Sequence, residues 1–256
     1  MQSTIPGASV SIPDMRLLTS IRTLTRPALA WCTAALTGVA APVLAMLVLS
    51  AVSSPLILAS GSIFTLGLMG VGIIVAAITG HFWTGVLLAL LNAACLVVLA
   101  LGLGIPALLH PLSTALVMVI ASASFAARGA LFARNLSHRG WLMALFVVAG
   151  EASVLLIAFA LPGLLPDWFL ALLPAQWANI AIQTTLTGTD TFAAMPVLVA
   201  LAGTAATTLL AAKLWRYRWP YLLMFTAWLG LSALVYFYAS PTASSGVFAG
   251  VSQTPM

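Results

Sequence analysis

The stretch that decides the fold is residues 111–162, PLSTALVMVIASASFAARGALFARNLSHRGWLMALFVVAGEASVLLIAFALP. It reads as an apolar run, a basic turn and a second apolar run. The turn carries Arg128, Arg134, His138 and Arg139 and no acid. About 20 residues at about 1.5 Å each cross a hydrocarbon core of about 30 Å, so each flank is long enough to span a bilayer. This hairpin predicts two membrane helices, 111–128 and 140–161, joined on the cytoplasmic side. The second carries Glu151, the one ionisable side chain deep inside an apolar run.

The rest of the chain has the same character. It is 62% hydrophobic and 5% charged over 256 residues, against about 25% charged in a soluble domain. No soluble fold of this length hides that much apolar surface, so lipid is the solvent for most of it. The runs are continuously apolar, whereas barrel strands alternate over about ten positions. Lipid also requires backbone groups to bond within their own segment, which favours helices.

Further helices are expected at 28–51, 55–78, 83–104, 192–212 and 220–239, giving an all-α, polytopic membrane protein with a seven-transmembrane-helix bundle. The first run follows Arg16, Arg22 and Arg26. It is longer than the core of a cleaved signal, so it is read as an uncleaved first helix. Ser53, Ser54 and Pro55 make the turn before the second helix, where Gly67, Gly70 and Gly72 invite close backbone approach. The segment 163–190 holds Asp167, Asp190, Trp168 and Trp177, and is expected to lie at the interface. The small residues Ala200, Ala202, Gly203, Thr204, Ala205 and Ala206 suit tight packing. The expected organisation is a cytoplasmic tail 1–26, a membrane domain 27–240 and an outer tail 241–256.

Charge supplies the orientation. With seven crossings and a cytoplasmic N-terminus, every Lys and Arg falls on one side, in or at the edge of 1–26, 129–139 and 213–218. The topology-setting residues are Arg16, Arg22, Arg26, Arg128, Arg134, Arg139, Lys213, Arg216 and Arg218, and the C-terminus is outside. The net charge of +5 is thereby a membrane signal and not a nucleic-acid footprint.

Few residues suggest chemistry. Glu151 lies about eleven residues into its helix, about 16 Å from the inner edge. It is either a proton or ion site or a protonated carboxyl bonded to a neighbouring helix or subunit. With the turn taken to begin at Arg128, no basic residue is expected at its depth. His81, His110 and His138 sit at helix ends, scattered in a way that suits neither haem nor zinc. Cys32 and Cys95 are read as small core residues with no metal spacing. Ser122 and Ser124 have no histidine at their depth to act as base, and there is no P-loop or dinucleotide fingerprint.

The second half resembles subunit III of the haem–copper oxidases, which typically has seven helices and a cytoplasmic N-terminus. The likeness rests on Pro111-Leu112-Ser113-Thr114 ahead of Ser122 and Ser124, the basic turn, Trp141-Leu142 and Gly150-Glu151. It extends to the entry Gly188-Thr189-Asp190-Thr191-Phe192, the exit Lys213, Arg216 and Arg218, and the aromatic last helix with Tyr221, Phe225, Trp228-Leu229 and Tyr236. Ser54-Pro55-Leu56 fits more loosely. Where that family's third helix bears an acid, this chain offers Asn92, which joins Glu151 as a candidate polar site. The family's sixth-helix histidines are replaced by the Ala/Gly/Thr run at 200–208.

The resemblance implies a non-catalytic integral subunit of a respiratory oxidase in a bacterial inner membrane, packed on a metal-bearing subunit I-like partner. It implies no catalytic residue, no metal and no directly bound cofactor other than phospholipid. The rival expectation is a small-solute or ion transporter that uses Glu151.

Overall fold

A computed structural model describes residues 28–51, 56–104, 110–136, 139–188, 195–214 and 219–248. Arg16, Arg22, Arg26, His138, Asp190, Arg216, Arg218 and the Ser53–Pro55 turn lie outside the described residues. The protein is all-α. Its helices are α1 (Ala28–Ala51), α2 (Leu56–Thr79), α3 (Phe82–Gly102), α4 (Pro111–Leu136), α5 (Gly140–Ala160), the short α6 (Asp167–Leu170), α7 (Pro174–Thr187), α8 (Met195–Lys213) and α9 (Trp219–Phe248). Seven of these, all but α6 and α7, are long and apolar enough to cross a membrane. They stand close to the expected spans, except that α4 runs on to Leu136 and α9 to Phe248.

The bundle is built around α2. Its spanning part is 83% buried, against 22% for α1, 17% for α5 and 11% for α9. α1, α3, α4, α5 and α7 all pack on it, closing over Phe64, Leu68, Met69, Ile73 and Ile74. Because lipid tails are as apolar as leucine, burial alone does not drive these contacts, and close van der Waals packing does. Glycine provides the closeness. A Cβ on Gly70 would stand 2.7 Å from Gly38 Cα on α1. One on Gly129 of α4 would run into the Ile73 carbonyl of α2. The outward faces carry Leu44, Val98, Phe146 and Leu222, which lipid solvates at no cost.

α1 contains a wide turn at Leu36–Ala40, where the Ala41 N–H bonds the Leu36 carbonyl five residues back. The cause is Pro42. In a regular helix its N–H would serve the Gly38 carbonyl, but proline has none, and its ring crowds that carbonyl.

The segment after α5 carries the two short helices α6 and α7. Trp168 is exposed, but Trp177 is fully buried and donates its indole N–H to Ala171 O at 2.8 Å. Pro174 opens α7, and Gly188, at φ 70°, closes it. At 14 residues, about 21 Å long, α7 is too short to cross, and it packs on α2, α4, α5 and α8. It meets α2 where Gly61 leaves room. Asn179 accepts from Ser62 Oγ at 3.2 Å, and Gln183 Oε1 accepts from the Gly61 N–H at 3.0 Å.

Cys32 and Cys95 are both exposed on outer helix faces, which corrects the expectation of core residues. In lipid the outside of a helix is as apolar as the inside, so an apolar run does not say which way its cysteine points. Of the small residues of α8, Ala200, Thr204 and Ala205 are buried, and Gly203 abuts Leu231 of α9. Ala202 and Ala206 face outward.

Candidate functional site

The expected turn at 128–139 is mostly helix. Residues 123–133 are rich in alanine and contain no proline. The one glycine there, Gly129, is fixed by its contact with α2, so nothing stops α4 before Leu136. Arg128 therefore sits eight residues inside the helix end, about 12 Å by rise, while Glu151 is about 16 Å along the antiparallel α5. The two meet. Arg128 Nη1 donates to Glu151 Oε1 at 2.6 Å, with the side chains 15% and 13% exposed. The expectation that no basic residue matches the depth of Glu151 is thus corrected. The guanidinium carbon also lies 4.9 Å from the centre of the Phe125 ring, one turn back along α4, in the range of a cation–π contact.

This pairing explains how an arginine stands so far inside. An Arg at a helix centre costs about 2.5–3.5 kcal/mol to insert. A counter-charge on the neighbouring helix offsets part of that, and the salt bridge fastens α4 to α5. It leaves Arg128 Nε and Nη2 and Glu151 Oε2 buried without partners.

Asn92 is elsewhere. From the middle of α3 its Nδ2 donates to Gly38 O at 2.8 Å. That carbonyl is the one Pro42 deprives of its helical donor. In lipid an orphaned carbonyl finds no water, so a side chain on the next helix supplies the bond. Asn92 and Glu151 sit on separate helices that both pack on α2, and Asn92 bonds α1 while Glu151 bonds α4. Pro42 was the available signal for the role of Asn92: a proline inside an apolar run calls for a polar side chain nearby.

We expect Asn92→Leu to lower stability by about 1–2 kcal/mol, the cost of an unpaired buried carbonyl. In a Pro42→Ala background, where residue 42 regains its N–H, the same substitution should cost less than half as much. Thermal unfolding of the four proteins in one detergent measures this; equal losses in both backgrounds would show that Asn92 does not act through Gly38.

The remaining candidates mark the ends of the bundle. Arg134 Nη1 donates to Ala212 O at the end of α8, and Tyr221 OH donates to Asn135 Oδ1 at 2.9 Å. Gly140 begins α5 against the Phe132 carbonyl. Arg134, Arg139 and Lys213 thus gather at one end. Asp167 lies at the other, where Trp168 approaches Tyr236 and Phe237 around a cavity of about 230 Å³. His81, in the turn between α2 and α3, has its Nδ1 2.7 Å from Thr79 O, while His110 precedes α4 at the opposite end. Ser124 Oγ lies 3.2 Å from Thr204 Oγ1, joining α4 to α8, and Ser122 Oγ donates to Val119 O. Among the described residues no three His, Cys, Asp or Glu side chains come together.

The chain matches no protein-family model, no curated protein and no solved structure.

Proposed function

We propose that the protein is a non-catalytic integral membrane subunit, similar in role to subunit III of the haem–copper oxidases, in a bacterial inner membrane with its N-terminus cytoplasmic and its C-terminus outside. The Arg128–Glu151 bond at 2.6 Å is the observation that carries this reading. The one intramembrane acid is held by a neighbouring helix, and the other candidate, Asn92, is engaged by a backbone carbonyl. Both polar residues thereby join helices. The orientation rests on the basic end formed by Arg134, Arg139 and Lys213. Bound phospholipid belongs to the same reading, since the cavity beside Trp168, Leu229 and Phe237 suits an acyl chain.

Gentle solubilisation and purification test this proposal. The expected result is a larger membrane partner and haem absorbance travelling with the chain; a stable, haem-free preparation with no partner would overturn it. The unpaired Glu151 Oε2 favours a second reading, in which the carboxylate takes up protons during transport. That reading requires Glu151→Gln to abolish pH-dependent flux in vesicles.

A further inference from the structure

Packing gathers cations at the end of the bundle where α4 stops. Arg134, Arg139 and Lys213 are all exposed there. Arg134 Nη1 donates to the carbonyl of Ala212, the residue before Lys213, and so ties the end of α4 to the end of α8. Arg139 comes in at the start of α5. A Cβ on Gly140, the next residue, would stand 3.1 Å from the Cα of Ala133, the residue before Arg134. Tyr221, bonded to Asn135, holds the start of α9 against the same end.

Among the described residues no carboxylate answers these charges. The chain has four acids. Glu151 is bound to Arg128, Asp167 lies beyond the far end of α5, and Asp14 and Asp190 are outside the described residues. The connecting segments 137–138 and 215–218 add His138, Arg216 and Arg218 in sequence, and no acid. Orientation in a membrane asks only for cations on one side; it does not ask that three helix ends bring them together. Like charges so held repel, and an anion among them removes the repulsion. Arg134 commits one N–H of its five to Ala212, and the planar fork of an arginine suits a phosphate.

The surroundings say which kind of anion. Leu136, Met143, Leu210 and Leu222 are exposed on the same four helices, each within about one turn of Arg134, Arg139, Lys213 or Tyr221. A ligand that meets both the charges and these side chains carries a phosphate at one end and hydrocarbon at the other. A free phosphate meets only the charges.

We propose that this end of the bundle binds the headgroup of an anionic phospholipid, its phosphate held by Arg134, Arg139 and Lys213 and its acyl chains laid along the outward helix faces. The site needs only the membrane and does not rest on the accessory-subunit reading. The acyl-chain cavity beside Trp168 is a different place, at the opposite end.

The test is a lipid titration of the full chain in detergent, with bound lipid counted by native mass spectrometry. Phosphatidylglycerol and phosphatidylcholine with identical acyl chains are the probes. The parent should prefer phosphatidylglycerol by about a hundredfold, at about fivefold for each of three cations, and the preference should shrink as salt rises. Arg139→Gln or Lys213→Gln should weaken phosphatidylglycerol binding about fivefold, and the two together about thirtyfold, with phosphatidylcholine unchanged. Asp167→Asn, at the other end, should alter neither. Because Arg134 also bonds the end of α8, it is tested as Arg134→Lys, which keeps the charge and most of the preference, beside Arg134→Gln, which loses about fivefold. Melting without added lipid shows that each variant is folded. Three results would overturn the proposal: a parent that binds both lipids equally, a folded Arg139→Gln, Lys213→Gln chain that keeps its preference, or displacement of phosphatidylglycerol by an equal concentration of glycerol phosphate, which would mark a site for a soluble anion.

Discussion

Arg128→Met should cost about 3 kcal/mol of stability, because it strands Glu151 as an unpaired charge between two membrane helices. Removing one partner of a buried ion pair typically costs about 3–5 kcal/mol, and the lower end applies because both side chains keep an exposed edge. Glu151→Leu should cost a similar amount by stranding the guanidinium. The double variant, Arg128→Met with Glu151→Leu, should recover to within about 1 kcal/mol of the parent, since an apolar pair of similar volume often replaces a buried salt bridge without loss. The sign of this cycle is the informative quantity. A double variant that loses the sum of the two single losses, about 6 kcal/mol, would mean that the two side chains do not depend on each other. Unfolding in a detergent that keeps the chain monomeric isolates the effect from self-association.

The second large effect concerns packing. Gly129→Val should lose about 3 kcal/mol or more, at or above the top of the usual range for overpacked interiors. Its Cβ would meet the Ile73 carbonyl and would lie 2.8 Å from Ala76 Cβ. The nearest obstacle is backbone of the central helix, which cannot rotate aside. Gly230→Ala on α9 is the control: nothing lies within 4 Å of its Cβ position, and alanine favours helix by about 1 kcal/mol, so stability should hold or rise. If Gly129→Val melts with the parent, α2 and α4 do not cross as closely as described.

The spans were legible in the sequence because run length against bilayer thickness is a strong constraint, and glycine clusters such as Gly67–Gly72 announced where helices would cross. What was not legible followed from three-dimensional neighbours. Arg128 looked like the start of a turn, since charge usually marks the end of a span; helix propensity through the alanine-rich 123–133 outweighed it and carried the arginine to the depth of Glu151. Trp177 is fully buried, and its indole bonds the Ala171 carbonyl, a partner that composition cannot reveal. The outward cysteines were illegible for the reason that lipid and core look alike to an apolar side chain. Asn92 and Glu151 stood out in the sequence as polar residues inside apolar runs, but their partners, a carbonyl freed by Pro42 and an arginine 23 residues earlier, depended on how the helices are laid side by side.

That 23-residue separation has a consequence for how the protein is made. Translation proceeds at about 5–20 residues per second, so Arg128 leaves the ribosome about 1–5 s before its counter-charge exists. Through that interval α4 carries a bare guanidinium that hydrocarbon rejects. The insertion machinery must therefore retain the segment in a hydrated setting until α5 emerges, and the two helices pass into the bilayer together as a hairpin whose two buried charges, Arg128 and Glu151, cancel. In a chain lacking Cys32 and Cys95, a cysteine placed in α4 should react with a water-soluble thiol reagent in a nascent chain stalled before residue 151 and be protected in one stalled after the end of α5.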